Sequence, residues 1–284
     1  MGSAAAEWGF PLLAGVYGLL IGSFLNVCSL RWPMDQSVVR PRSRCPNCDT
    51  VIAWYDNVPV LSWTLLRGRC RHCKNPVSVQ YPLVELTTGL VWAGVVVFHG
   101  PTWEALRAGA FLTILLGISI SDARFYIIPD EFSVGGTGVG LAMSLLPGGI
   151  EWLPALVGAV SGYAVLWIVG VLGTWLIEKL SPGRLEEAGV DQAMGGGDIK
   201  MMMMIGAFLG PWGVALTVFL GSVLALVVTM IRALVSFALV GSDEEAFQRL
   251  IPFGVFLAGG AAVAYVWGEA MIGWYMSAVL GMPI

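Results

Sequence analysis

The sequence predicts an all-α polytopic integral membrane protein of about eight transmembrane helices, with a small cytoplasmic zinc-binding loop domain. Its 284 residues are 57% hydrophobic and only 12% charged, whereas soluble domains are typically about 45–50% apolar and about 25% charged. The mean hydropathy is +0.78. Apolar runs alternate with short polar loops, and one long polar stretch carries two pairs of cysteines. These observations together predict the fold class.

The first apolar run covers residues 10–30, and no Lys or Arg precedes it. A secretory signal peptide would have a basic n-region, a shorter apolar core and a small-residue cleavage site, so we predict a permanent first span within residues 1–30. The polar stretch 31–80 has eight basic and three acidic residues. Because excess basic residues beside a span mark the cytoplasmic side, we expect the N-terminus outside and this stretch in the cytoplasm.

The region 81–284 is predicted to be a membrane-embedded domain of about seven spans. Its apolar runs cover residues 83–99, 104–121, 131–147, 152–178, 199–209, 212–238 and 252–280. Alternating the side from run to run places every Lys and Arg except Arg107 on or near the cytoplasmic side. The run 199–209 is shorter than the roughly 20 residues of a spanning helix, so it is tilted, partly re-entrant, or begins at Gly195. Glu269 is expected to end the last helix.

Four cysteines form two C-x-x-C pairs, Cys45/Cys48 and Cys70/Cys73, separated by 21 residues. This spacing is typical of zinc ribbons, in which two knuckles supply four thiolates to one ion. Two disulfides or four idle thiols are the alternatives, and a reducing cytoplasm disfavours disulfides. We therefore predict structural Zn²⁺. Four thiolates leave no open position for water or substrate, so the metal is expected to hold the loop together, with His72 as a bystander.

A second polar signal lies within the apolar region. Asp122 closes one run, and Gly195-Gly196-Gly197-Asp198-Ile199-Lys200 opens another. Two crossings separate the aspartates, so both return to the cytoplasmic boundary. Two carboxylates at close range cannot both ionise easily, so one can hold a proton while the other activates a water for attack on a carbonyl, as in aspartyl proteases. The glycines are expected to permit close approach of substrate and unusual dihedral angles.

Other interpretations stay open on the residues alone. An aspartate before a helix is often an N-cap, and Asp130 after Pro129 fits that role. A pair of membrane carboxylates can also carry protons or cations in a transporter, and a zinc-ribbon membrane scaffold would leave both aspartates idle. Lys200 is expected either to stabilise the charge of Asp198 or to face the lipid headgroups.

Taken in order, these motifs resemble those of the type IV prepilin peptidases. The matching segments are residues 22–27, 43–48, 57–62, the second cysteine pair, 81–85, Asp122 with 128–130, and 195–200. They extend over most of the chain. A lone G-x-G-D motif is weak, but its occurrence after a tetracysteine loop is specific.

The resemblance implies a bifunctional enzyme of the bacterial inner membrane. It would cleave the short basic leader from prepilins or pseudopilins at the cytoplasmic boundary, and would use S-adenosylmethionine to methylate the new N-terminal residue. The residues it assigns are the catalytic Asp122 and Asp198 and the supporting Gly195, Gly197, Lys200 and Asp130. Prepilin substrates and the lipid bilayer are the expected partners, and no nucleic acid is expected. No strand followed by G-x-G-x-x-G marks a site for the methyl donor.

Overall fold

The computed structural model describes residues 4–187, 189–240, 252–279 and 281. Within these ranges the regular secondary structure is helical, and extended pairing is limited to two single bridges, Arg44 with Val51 and Arg69 with Pro76. The helices are α1 (Ala4–Arg31), α2 (Leu61–Leu65), α3 (Gln80–His99), α4 (Trp103–Phe125), α5 (Asp130–Met143), α6 (Trp152–Leu180), α7 (Arg184–Glu187), α8 (Gly196–Val240) and α9 (Phe253–Ala278).

Six of the described helices are long and apolar enough to cross a membrane, namely α1, α3, α4, α6, α8 and α9. The apolar α5 is shorter, at 14 residues. The 45-residue α8 is interrupted at Gly210, whose φ of 70° and ψ of −177° are accessible essentially to glycine alone. It therefore consists of two apolar segments, 196–209 and 211–240. Each of the eight predicted apolar runs corresponds to a helical segment, and the all-α, multi-pass fold class is confirmed.

Two expectations about helix ends have different outcomes. The short run 199–209 begins earlier, because α8 starts at Gly196, next to the alternative start at Gly195. The expectation that Glu269 ends the last helix is wrong, because α9 continues to Ala278. Glutamate is a good helix former, and no proline follows it until Pro283. A charged residue such as Glu269 is thus a weaker helix-stop signal than a proline, which lacks the backbone N–H.

The chain divides into two compact units, Met1–Gly117 and Ile118–Ile284. In the first unit α1 packs on α3 through small residues. A Cβ added at Gly22 would lie 2.7 Å from the Cα of Glu85, so the two backbones meet closely where a side chain is missing. Glu85 also accepts a hydrogen bond from the Val60 N–H at 2.7 Å, which joins the segment before α2 to α3.

In the second unit α6 packs on the first segment of α8. A Cβ added at Gly158 would overlap the main chain of Gly206, so this contact exists because both residues lack side chains. A Cβ at Gly140 of α5 would lie 2.9 Å from the ring of Phe208. The interior of the same α8 segment is filled by the fully buried Met201, Met202 and Met204. Flexible thioethers are well suited to fill such irregular contacts between helices.

The outer faces of the long helices carry exposed apolar side chains, including Leu12, Leu13, Leu172, Leu226 and Trp267. A water-soluble protein rarely leaves contiguous apolar surface of this kind uncovered. Helices satisfy their own backbone hydrogen bonds, so they can present such faces to hydrocarbon. The protein is therefore a multi-pass membrane protein.

Candidate active site

Asp122 lies in the last turn of α4, and its side chain is buried. One carboxylate oxygen, Oδ2, accepts a hydrogen bond from the Val255 N–H at 3.2 Å, and the Gly254 amide interacts with the same carboxylate. Both amides belong to the first turn of α9, whose N-cap is Pro252. The first N–H groups of a helix have no partner within the helix, so Asp122 supplies an acceptor for them.

Asp198 lies in the first turn of α8 and is half-buried. Its own N–H donates to the Gly195 carbonyl at 3.1 Å, so Gly195 occupies the position before the helix and Asp198 is not an N-cap. The Asp198 and Asp122 carboxylates are close enough to interact electrostatically. The second unit therefore brings together the two aspartates that the sequence singled out.

The glycines beside Asp198 provide space. A Cβ added at Gly195 would lie 2.9 Å from Asp198 Oδ2, and one at Gly197 would lie 3.0 Å from Ile128 Cβ, whereas Gly196 has nothing within 4 Å. None of the three residues has a positive φ. The expectation of unusual dihedral angles is therefore wrong here. Gly195 and Gly197 instead let the Asp198 carboxylate and Ile128 approach the main chain.

Lys200 pairs with Asp130. Its Nζ lies 2.7 Å from Oδ1 and 2.8 Å from Oδ2 of that carboxylate, which joins the start of α8 to the start of α5. From the sequence, Lys200 is expected either to stabilise the charge of Asp198 or to face the lipid headgroups. Neither expectation includes Asp130 as its partner. Asp130 is not an N-cap either, because Pro129 holds that position and Asp130 is the first helical residue. A carboxylate in the first turn still interacts favourably with the helix dipole.

The four predicted cysteine ligands meet in the first unit. The Sγ atoms of Cys45, Cys48, Cys70 and Cys73 all lie within 4.8 Å of one another. Tetrahedral zinc with Zn–S distances of about 2.3 Å separates its sulfurs by about 3.8 Å, and the Sγ atoms of Cys45 and Cys73 are 3.8 Å apart. The donor set therefore fits a structural metal. His72 is not part of this group.

The two cysteine pairs lie on matching turns. The Cys45 N–H donates to Thr50 O at 3.0 Å, and the Cys70 N–H donates to Asn75 O at 2.9 Å. Each turn also contains one residue with positive φ, Asp49 or Lys74. This repeated geometry is that of two knuckles. Hydrogen bonding with Thr50 lowers the pKa of Cys48 to about 6, whereas the pKa of Cys73 in the same cluster is raised to about 11. The four thiols therefore do not ionise alike.

A bidentate ion pair connects the second knuckle to the segment before α2. Arg71 Nε donates to Asp56 Oδ2 at 2.8 Å, and Arg71 Nη2 donates to Oδ1 at 2.6 Å. The hydrogen bonds and charge of Arg71 lower the pKa of Asp56. The guanidinium also lies over the Tyr55 ring, 5.6 Å from its centroid. These contacts hold the second knuckle against the segment before α2.

The contact between the start of α9 and Asp122 was not predicted from the sequence. Gly254 and Val255 contact Asp122 although 132 and 133 positions separate them from it in the chain. The available signal was Pro252-Phe253-Gly254 at the start of the last apolar run, because proline marks a helix N-terminus and glycine marks a close approach. That signal marks the start of a helix but does not indicate that it contacts Asp122. The contact becomes visible only in the folded structure.

Two protein-family models match this chain. A model of the bacterial peptidase A24 N-terminal domain matches residues 16–99, and a model of the type IV leader peptidase family matches residues 109–230. The first segment contains the four clustered cysteines, and the second contains both aspartates. The chain belongs to the type IV leader peptidase family. The start of α9 lies outside both matched segments.

Several relatives carry the name prepilin leader peptidase/N-methyltransferase. The protein of Aeromonas hydrophila is 32% identical over 294 residues, which cover 95% of each chain. That of Bacillus subtilis (strain 168) is 28% identical over 94% of this chain and 98% of its own. That of Myxococcus xanthus (strain DK1622) is 40% identical over 70% of this chain, which spans 56% of the relative. No solved structure matches the chain significantly.

Proposed function

We propose that this protein removes the leader peptide of prepilins or pseudopilins by using Asp122 and Asp198 as a catalytic dyad. The observation that carries the proposal is that Asp122, at the end of α4, and Asp198, at the start of α8, lie near enough to interact electrostatically. Ile128 packs both against Gly254, which contacts Asp122, and against Gly197, which precedes Asp198. Family membership and the names of the relatives support the same reaction. Burial of Asp122 and half-burial of Asp198 give the low-dielectric surroundings in which such a pair shares a proton.

The proposed reaction is hydrolysis of one peptide bond. An ionised carboxylate takes a proton from a water, whose oxygen attacks the scissile carbonyl, while the protonated carboxyl group donates to the carbonyl oxygen. The tetrahedral intermediate then collapses. The C–N bond breaks, a proton passes to the leaving amine, and the dyad returns to its shared-proton state. Both carboxyl groups therefore alternate between acid and base within one turnover.

The supporting residues shape this dyad. Gly195 and Gly197 leave room for the Asp198 carboxylate and for Ile128, so larger residues would displace the start of α8. The Lys200–Asp130 pair joins that start to α5 and fixes the direction of the helix that carries Asp198. Neither Lys200 nor Asp130 needs to touch the reacting atoms. We assign them positioning roles.

The charge pattern supports a defined orientation in the bacterial inner membrane. With the N-terminus outside, residues 31–80 and the starts of α5 and α8 face the cytoplasm, where excess basic residues remain. A prepilin held by its apolar helix would then present its leader at the depth of the dyad. Functionally the chain divides into a first span (1–30), a tetracysteine zinc segment (31–80) and the aspartyl protease region (81–284).

The tetracysteine cluster is proposed to bind Zn²⁺ in a structural role through Cys45, Cys48, Cys70 and Cys73. The second proposed activity is N-methylation of the new N-terminal residue, as the names of the relatives indicate. S-adenosylmethionine would supply the methyl group. Bidentate contacts such as Arg71 with Asp56 would keep the zinc segment ordered for this step. The transporter alternative gains no support from the relatives or from the described contacts.

The decisive experiment combines purified protein with a prepilin in the presence and absence of S-adenosylmethionine. Mass spectrometry follows the loss of the leader and the mass of the new N-terminus. Leader loss under both conditions and a gain of one methyl group only with the donor are expected. An intact prepilin under both conditions would reject the proposal, and proton- or cation-coupled transport by the protein in vesicles would instead favour a transporter.

Zinc removal gives a separate prediction. Changing the four clustered cysteines to serine removes all thiolate ligands and should loosen residues 31–80, because structural zinc contributes directly to local folding. Methylation is expected to fall at least as much as cleavage. Both rates are measured on the same prepilin, with Cys28→Ser, outside the cluster, as the control. Full methylation by the quadruple variant would contradict the prediction.

A further inference from the structure

The start of α9 holds one oxygen of the candidate dyad. Asp122 Oδ2 accepts the Val255 N–H at 3.2 Å, and Gly254 is buried against the same atom. These residues form the first turn of a 26-residue helix, where backbone N–H groups lack helical partners and the helix dipole favours negative charge. The contact therefore combines a main-chain hydrogen bond with the favourable field of a helix N-terminus.

The fit at Gly254 leaves no room for a side chain. An added Cβ would lie 2.8 Å from Asp122 Oδ2 and 2.8 Å from Ile128 Cδ1. Real Cβ atoms do not approach other heavy atoms this closely, so one neighbour or the helix itself would have to move. Ile128 also contacts Gly197 beside Asp198. Displacement at Gly254 would therefore reach both sides of the dyad.

We propose that the first turn of α9, through Gly254 and the Val255 N–H, is a positioning element that fixes Asp122 Oδ2 and directs the other oxygen, Oδ1, to the reaction. The proposal rests on the dyad proposed above and adds to it a third element of the chain. It assigns a role to residues outside both segments matched by the family models.

The hydrogen bond also separates the roles of the two oxygens. A backbone N–H can only donate, so the oxygen that receives it serves as an acceptor and is poorly suited to carry the shared proton. The proton of the dyad therefore resides on Asp122 Oδ1 or on Asp198. Because α9 orients Oδ2, attack by water and proton exchange with Asp198 both use Oδ1.

The test compares Gly254→Ala with Gly268→Ala. Both glycines are buried in α9, but a Cβ at Gly268 would make only an ordinary contact, 3.4 Å from Leu216. Steady-state cleavage of a purified prepilin is measured for each variant. We expect Gly254→Ala to lower kcat by about 100-fold with KM nearly unchanged, because a misplaced catalytic group costs about that much. Gly268→Ala should behave as the parent does.

Adding Ile128→Val to Gly254→Ala distinguishes the two neighbours, because valine lacks the Cδ1 atom. Failure of this change to restore kcat supports the contact with Asp122. Recovery of kcat would show that the glycine serves Ile128 packing and would overturn the proposal, as would parent-like cleavage by Gly254→Ala itself. Asp122→Asn is assayed in parallel. Cleavage by that variant would refute the dyad, a result distinct from failure of the Gly254 prediction.

A stability measurement covers the case in which Gly254→Ala folds poorly. The same substitution is made together with Asp122→Ala and Ile128→Val, which remove both crowded atoms. If the glycine accommodates the Asp122 side chain, Gly254→Ala should lower the melting temperature of the Ile128→Val protein but not that of the Asp122→Ala/Ile128→Val protein. Equal losses in both backgrounds would overturn the proposal.

Discussion

The two aspartates have different surroundings although they serve one proposed reaction. Asp122 is buried in the last turn of α4 and receives a main-chain hydrogen bond, whereas Asp198 is half-buried in the first turn of α8 beside glycines. The Asp122 carboxylate is therefore positioned by a main-chain hydrogen bond. The Asp198 carboxylate is positioned by its close approach to the main chain at Gly195. This asymmetry distinguishes the dyad from two equivalent acids.

Replacing either carboxylate should remove cleavage without removing the protein from the membrane. Asp122→Asn and Asp198→Asn keep the side-chain size but lose the acid–base function, so we expect a rate loss of at least about 10²- to 10⁴-fold. The measurement is leader loss by a prepilin incubated with each purified variant, with membrane-fraction yield as the control for insertion. Near-parent cleavage by either variant would contradict a dyad.

The Lys200–Asp130 pair should affect the position of Asp198 more than the stability of the fold. Its side chains are 40% and 61% exposed, and exposed ion pairs contribute only about 0–1 kcal/mol to the free energy of unfolding. We therefore expect Lys200→Met and Asp130→Asn to change the melting temperature little but to lower kcat. The double variant should lose no more kcat than the worse single variant. Additive losses in kcat would show that the two residues act separately.

At the scale of elements, the sequence predicts the helices better than it predicts their contacts. Hydropathy marks each apolar run, and Gly-Gly-Gly-Asp marks the start of α8, because these signals are local. The contact of α9 with Asp122 and the pairing of Lys200 with Asp130 were missed, since no local property of Gly254 or Lys200 names a partner. The cysteine site was predictable because two C-x-x-C knuckles specify their shared ligand.

The packing of α6 on α8 predicts a sharp contrast between two glycines. Gly158→Leu places a side chain where the Gly206 main chain lies and should destabilise the fold by about 1–3 kcal/mol, the usual cost of overpacking. A Cβ added at Gly138 of α5 would have no atom within 4 Å. Gly138→Ala should therefore leave the stability unchanged or raise it, since alanine has a higher helix propensity than glycine. Thermal unfolding in detergent compares the variants. Equal melting temperatures would contradict the close backbone contact.

For the whole molecule, the orientation in the membrane is predicted from two features of the sequence, the distribution of basic residues and the number of membrane crossings. Basic residues are concentrated in the 31–80 segment, and an even number of crossings separates Asp122 from Asp198. The positive-inside rule and this crossing number predict that the cysteine cluster and both aspartates face the cytoplasm. The proposed orientation therefore rests on charge and crossing number, and it is tested separately from the side-chain packing within each unit.

Protease protection of short epitope tags tests this orientation. Tags are inserted at the N-terminus, after Val39 in the basic segment, and at Gly148–Gly149 between α5 and α6, and protease is added to the outside of cells with opened outer membranes. The positive-inside rule predicts cleavage of the N-terminal and Gly148–Gly149 tags and protection of the tag after Val39. Detergent should expose all three tags, which controls for intrinsic resistance. Protection of the N-terminal tag with cleavage after Val39 would invert the topology and move the proposed dyad to the outer side, where a cytoplasmic leader could not reach it.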